Sequence, residues 1–212
     1  PPGGETGEEH NAMEHKLSDA LGASAYPGRG IVVGKSGNGR CLVVAYFIMG
    51  RSENSRNRVF VPTEDGIRTQ AFDESRMVDP SLIIYAPVRT VGDVVAVSNG
   101  DQTDTIREFL LRGGTFEDAL RTRTFEPDAP HFTPRISALL EPKRDRVRLS
   151  ILKPADGYPL SVQRCFYEYS GLKNGSGRFI HTYQQNTDPL PAFSGEPIPV
   201  ARWCAESLCA WS

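Results

Sequence analysis

The chain has 212 residues, with 24 Lys and Arg against 26 Asp and Glu and a formal net charge of -2. A chain of this length buries about 70% of the surface its unfolded form exposes, so it folds without disulfide or metal staples. The near balance of charge argues against a nucleic-acid or anionic-membrane binder, and the longest apolar run, residues 41–49, falls far short of the roughly 20 residues that cross a bilayer.

Residues 1–12 are rich in Gly, Pro and Glu and read as a flexible arm or an expression remnant, with Met13 a candidate native start. Residues 14–21 predict a short helix closed by Gly22. Strand patterns follow at 30–34, 42–49, 59–62, 67–72, 82–88 and 94–98. Apolar residues at helical spacing then mark 103–111 and 115–121, divided by Gly113-Gly114. Thr115 and Asp118 resemble a helix-opening capping box, with Asp for the usual Glu or Gln. Residues 133–140 predict a further strand or helix, and strand character returns at 147–152, 164–169 and 178–183. With no repeat and no linker, residues 13–212 predict one domain of the α+β class. Cys41, Cys165, Cys204 and Cys209 are scattered and lack metal-ligand spacing, and no stretch reads as a signal peptide. They are expected to be reduced thiols in a cytoplasmic protein.

VVGKSGNGR, residues 32–40, invites a phosphate-loop reading and fails it. The pattern needs glycine at position 29, which is Arg29, and it must open a helix rather than a strand. Lys35 to Gly39 reads as a hairpin turn instead.

IMGRSENSRNRVF, residues 48–60, is different. It concentrates Arg51, Arg56, Arg58, Asn54 and Asn57 at the end of an apolar strand. Read as extended, it turns Arg56 and Arg58 to one side and Asn57 to the other. Guanidinium forks and amides suit phosphate, carbonyl and ring-nitrogen contacts; ion pairs to Glu53 and Glu64 in a solvated loop are the competing account. In SNGDQTDTI, residues 98–106, Asn99-Gly100 makes a turn and Thr103 or Asp104 caps a helix. That leaves Asn99, Asp101 and Gln102 as candidate ligand contacts. In FEPDAPHFTPRIS, residues 125–137, Glu126 stands between Phe125 and Pro127, a setting that raises a carboxyl pKa as proton transfer requires. Thr133-Pro134-Arg135 adds an arginine on a stiffened loop, and Tyr85 follows an apolar run as a buried strand tyrosine. His131 and His181 have no ligand-spaced companions, so no metal is expected.

Together YPGRGIVVG, GRSENSRNRVF, VSNGDQTDTI and FTPRIS resemble the archaeal-type IMP cyclohydrolase family, including its bacterial members, from about Tyr26 to about Phe193. The resemblance implies a four-layer αββα sandwich like that of N-terminal-nucleophile hydrolases, without the processing nucleophile. Arg29, not Cys, Ser or Thr, stands before the first strand. It implies closure of FAICAR (5-formamidoimidazole-4-carboxamide ribotide) to IMP with loss of water, no cofactor, and a homo-oligomer, possibly a tetramer. Similarity to the family assigns catalysis to Arg58, Tyr85 and Glu126, with Arg56 a rival for Arg58. It assigns substrate contacts to Arg29, Asn57, Asn99, Asp101, Thr103, Asp104, Thr133 and Arg135. The family continues beyond PAFSGEPIPV, where this chain has ARWCAESLCAWS. The alternatives are a nucleotide-binding or assembly protein without turnover, and an amide hydrolase, which the lack of an N-terminal nucleophile disfavours.

Overall fold

A computed structural model describes residues 15–201. The arm at 1–12, Met13, Cys204, Cys209 and the chain beyond Ala201 lie outside the described residues. In chain order the elements are β1 (His15–Lys16), α1 (Leu17–Gly22), β2 (Arg29–Lys35), β3 (Leu42–Ile48), α2 (Glu53–Arg56), β4 (Arg58–Thr63), β5 (Gly66–Ala71), β6 (Val88–Val91), β7 (Val94–Ser98), α3 (Gln102–Leu111), α4 (Phe116–Arg121), β8 (Arg135–Glu141), β9 (Arg146–Ala155), β10 (Tyr158–Ser170), β11 (Ser176–His181) and β12 (Ile198–Ala201).

The strands form two sheets, ordered β1-β12-β11-β2-β3 and β10-β9-β8-β7-β6-β5-β4. Every pairing is antiparallel except β1 with β12. Strand alternation decides which side chains meet between them. Ile31 and Val33 of β2 and Ile180 of β11 pack on Val97, Ile136, Ala138, Leu140, Val147, Leu149 and Ile151 of the larger sheet. The alternate residues face outward and are covered in turn. Ala96, Leu139 and Leu152 pack under Ile106 of α3 and Phe116, Ala119 and Leu120 of α4. Val32, Phe179 and Val200 pack with Ala20 of α1. β2 and β8 are thus buried on both faces, which is why they read as near-continuous apolar runs. Thr115 caps α4 by accepting from the Asp118 N–H at 3.1 Å. The turn at 36–41 is a hairpin, closed by Ser36 N–H to the Cys41 carbonyl at 2.9 Å. Lys35 pairs with Asp145 at 2.7 Å. No helix among the described residues is long and apolar enough to cross a membrane.

Three local expectations need correction. Residues 82–87 are not a strand. Thr69 holds them: its N–H donates to the Tyr85 carbonyl, and its hydroxyl bonds to Ile83 and Tyr85 backbone. Ile83 and Tyr85 are buried and Ile84 less so, which imitates strand alternation. The segment 53–56 is a turn of helix rather than extended, capped by Ser52 accepting from Ser55 N–H at 3.0 Å. Arg56 and Arg58 therefore do not share a strand face. Finally, neither Thr103 nor Asp104 caps α3: Asp101 stands at the N-cap with no side-chain cap bond, and both residues lie inside the helix.

Candidate active site

The candidate site lies at one end of the interface between the sheets, where β2, β4 and β8 begin and β3 and β11 end. The YPGR turn brings Arg29 there. Gly28 sits at φ +75, and a Cβ on it would lie 2.3 Å from Thr182 Oγ1. Glycine lets this turn lie against Thr182, whose hydroxyl accepts from Arg29 N–H at 3.1 Å. Tyr26 donates to the Met49 carbonyl at 2.7 Å and stacks on Tyr183 with ring centroids 5.8 Å apart. The Arg51 guanidinium lies over the Tyr26 ring.

Arg29 Nη2 stands 4.0 Å from Glu126 Oε2. Glu126 is held by its own N–H bonded to the Thr133 carbonyl at 2.9 Å, and is 2% exposed. Burial pushes its carboxyl up to about 7, although Arg29 and Arg135 pull the other way. For Arg29 burial is opposed by Glu126 and three tyrosines, and the charged form prevails. Both pKa values thus rise, which favours the charge at Arg29 and disfavours it at Glu126. At 4.0 Å, beyond hydrogen-bond reach, the arginine does not offset the carboxylate's loss of water.

Tyr85 Oη and Tyr46 Oη are 2.7 Å apart. Burial raises both phenols, and Arg58 and Arg29 oppose this at Tyr85. Arg58 donates from Nη1 to the Ile83 carbonyl at 3.3 Å. Burial, with Arg29 nearby, lowers its pKa, while Tyr85 supports its charge. Arg58 Nε and Nη2 and Arg29 Nε are buried with no hydrogen-bond partner. Buried N–H donors left unpaired cost about 1–3 kcal/mol each, so these guanidiniums are primed for an acceptor oxygen.

Arg29, Arg58, Tyr85 and Glu126 therefore come together. Thr133 adjoins them through its hydroxyl, bonded to Tyr183. The other predicted contacts are engaged in bonds of their own, and of them Arg135 still stands near enough to Glu126 to pull its carboxyl down. Asn57 clamps Asp73 by two bonds of 2.8 Å, to its carbonyl and from its N–H. Asn99 extends the β7–β8 ladder with its side chain, accepting from Ile136 N–H at 2.8 Å and donating to the Pro134 carbonyl at 2.9 Å. Thr103 bonds to Ser98 and to the Gly100 carbonyl. Asp104 pairs with Arg89 at 2.7 Å. Arg135 donates to Asp101 and Gln102, both at 2.6 Å, and Asp101 also pairs with Arg123. Arg135 lies on the helix-covered face of β8, since Ile136 faces the opposite sheet. Tyr46, Tyr183 and Asp128 went unnoticed in the sequence. Tyr46 had one signal: it continues the Leu42, Val44 alternation on the face packed against the core.

Two guanidiniums, a phenol pair and a carboxyl raised to about 7 are groups suited to acid–base chemistry and to donation to an acceptor oxygen. The model of the IMP cyclohydrolase-like protein family matches residues 26–202, and the chain belongs to that family. It is similar to the IMP cyclohydrolase of Methanopyrus kandleri, 29% identical over 182 residues that cover 79% of this chain and 89% of the relative. The IMP cyclohydrolase of Methanococcus aeolicus is 29% identical over 153 residues, 66% of this chain and 75% of the relative. That of Methanosphaera stadtmanae is 26% identical over 166 residues, 76% and 75% of the two chains.

Proposed function

We propose that this chain is an IMP cyclohydrolase that closes FAICAR to IMP, and that Arg58, Tyr85 and Glu126, with Arg29, perform the chemistry. The observation that carries the reading is the convergence of these four side chains, with buried guanidinium N–H groups unpaired, in a member of that family.

The two reacting groups are neighbours on one ring, so the site's first task is orientation. The carboxamide nitrogen adds to the formyl carbon, and the carbonyl pair moves to oxygen. Arg58 and Arg29 donate to that oxyanion. A proton passes from the attacking nitrogen to the oxygen, with Tyr85 as relay. Protonated Glu126 then donates to the resulting hydroxyl, which leaves as water. The Glu126 carboxylate takes the proton of the former formamido nitrogen as the ring C=N bond forms, and is restored. A carboxyl at about 7 performs both halves at neutral pH. The former carboxamide nitrogen keeps one proton, the N1–H of IMP.

The same reading takes the layers as an αββα sandwich of N-terminal-nucleophile type without the nucleophile. The packing of α1 on one sheet and of α3 and α4 on the other supports this. It also takes the protein as cytoplasmic and oligomeric. Phe60, Phe72 and Val78 remain exposed, as residues of a subunit contact do. The test is direct: purified protein with FAICAR, IMP followed by ultraviolet absorbance. Turnover above the buffer blank is expected. A folded protein that binds IMP without turnover would leave a binding protein in its place.

A further inference from the structure

The loop after Glu126 carries a hydrogen-bond chain whose direction is fixed by chemistry. Asp128 accepts from Thr133 N–H at 2.6 Å with Oδ1, and from the Thr133 hydroxyl with Oδ2. A carboxylate only accepts, so the Thr133 proton points to Asp128. The same Thr133 oxygen meets the Tyr183 hydroxyl. Having given its one proton to Asp128, Thr133 must accept there, and Tyr183 must donate. What Tyr183 has left is an oxygen lone pair. Its hydroxyl lies within the fields of Arg29 and Glu126, at the reacting end of the site. Tyr183 is 2% exposed and held by stacking on Tyr26, so its position is set.

We infer that Asp128 and Thr133 polarise Tyr183 so that it recognises a ligand N–H: the carboxamide N–H of the substrate and the N1–H of the product. This rests on the cyclisation reading and adds a specificity contact to it. Asp128 and Thr133 are positioning residues; Tyr183 is the contact. The arrangement selects against a purine nucleotide whose N1 bears no proton, because two lone pairs would then face each other in a buried site.

The polarity is reversible by one substitution. In Asp128→Asn the amide oxygen stays on Thr133 N–H, which is always a donor. The amide NH2 then faces the Thr133 hydroxyl and donates to it. Thr133 turns its proton to Tyr183, and Tyr183 turns its own toward the ligand. Isothermal titration calorimetry with IMP, which has N1–H, and AMP, whose N1 is an acceptor, reads the change. Wild-type protein is expected to prefer IMP at least tenfold. Asp128→Asn is expected to lower that ratio at least tenfold by weakening IMP and tightening AMP. Tyr183→Phe is expected to weaken IMP without gaining AMP. A loosened loop weakens both nucleotides alike, so the ratio separates polarity from damage. An unchanged ratio in folded Asp128→Asn overturns the inference. If that variant fails to fold, as judged by circular dichroism, an unchanged ratio in Tyr183→Phe overturns it. Wild-type protein that binds no IMP overturns the cyclisation reading itself, a separate outcome.

Discussion

Replacing Glu126 by glutamine separates its effect on the fold from its effect on the reaction. The carboxyl is 2% exposed and titrates at about 7 against an ordinary 4.5. At 1.36 kcal/mol per pH unit, the difference corresponds to on the order of 3 kcal/mol. Between those two values the folded chain holds a proton that the unfolded chain has lost. Stability from this group is therefore fully present below about 4.5 and is lost as pH rises through about 7. Glu126→Gln keeps the shape and cannot ionise. Guanidinium unfolding of both proteins from pH 4 to 8 is expected to show wild type losing about 3 kcal/mol relative to the variant over that window. Under the proposed mechanism the same group sets the rate. If protonated Glu126 releases water, kcat/KM falls above pH about 7, and the variant loses about 100-fold or more and the pH limb with it. Stability curves that stay parallel from pH 4 to 8 would refute the burial argument. A wild-type rate that rises through pH 7 would refute the acid role.

Arg58→Ala and Tyr85→Phe are each expected to cut FAICAR turnover at least tenfold while circular dichroism stays native; near-normal turnover in both would remove them from the chemistry. Asn99→Ala leaves Ile136 N–H and the Pro134 carbonyl unpaired inside the sheet. It is expected to cost about 2–4 kcal/mol by denaturant unfolding, with KM affected no more than the fold requires.

The polar residues that the sequence singles out divide by what the backbone asks of them. Arg29 and Glu126 stand far apart in the chain. Glu126 is marked locally by flanking Phe125 and Pro127, whereas Arg29 was picked out as a contact only by the family resemblance. Asn57 and Asn99 carry the same amide, but backbone groups next to them in space claim it, and those neighbours arrive from other segments. No local pattern separates an amide that completes a ladder from one that meets a ligand. Tyr46 and Tyr183 were hidden for the opposite reason. Each reads as a core residue in an apolar strand pattern, and only the meeting of sheets gives its hydroxyl a partner. β2 was legible as a strand, whereas β8, buried on both faces, left strand and helix open, because a short buried apolar run carries no period that separates the two. Residues 82–87 show the same apolar run doing a different job, bonded to one threonine instead of a ladder.

A crystal structure with IMP tests most directly whether this cluster is the reaction centre. The account predicts the hypoxanthine ring at this end of the sheet interface, its six-membered edge against Arg29, Arg58, Tyr85 and Glu126. IMP bound with that edge away from all four, or on another face of the protein, would contradict it.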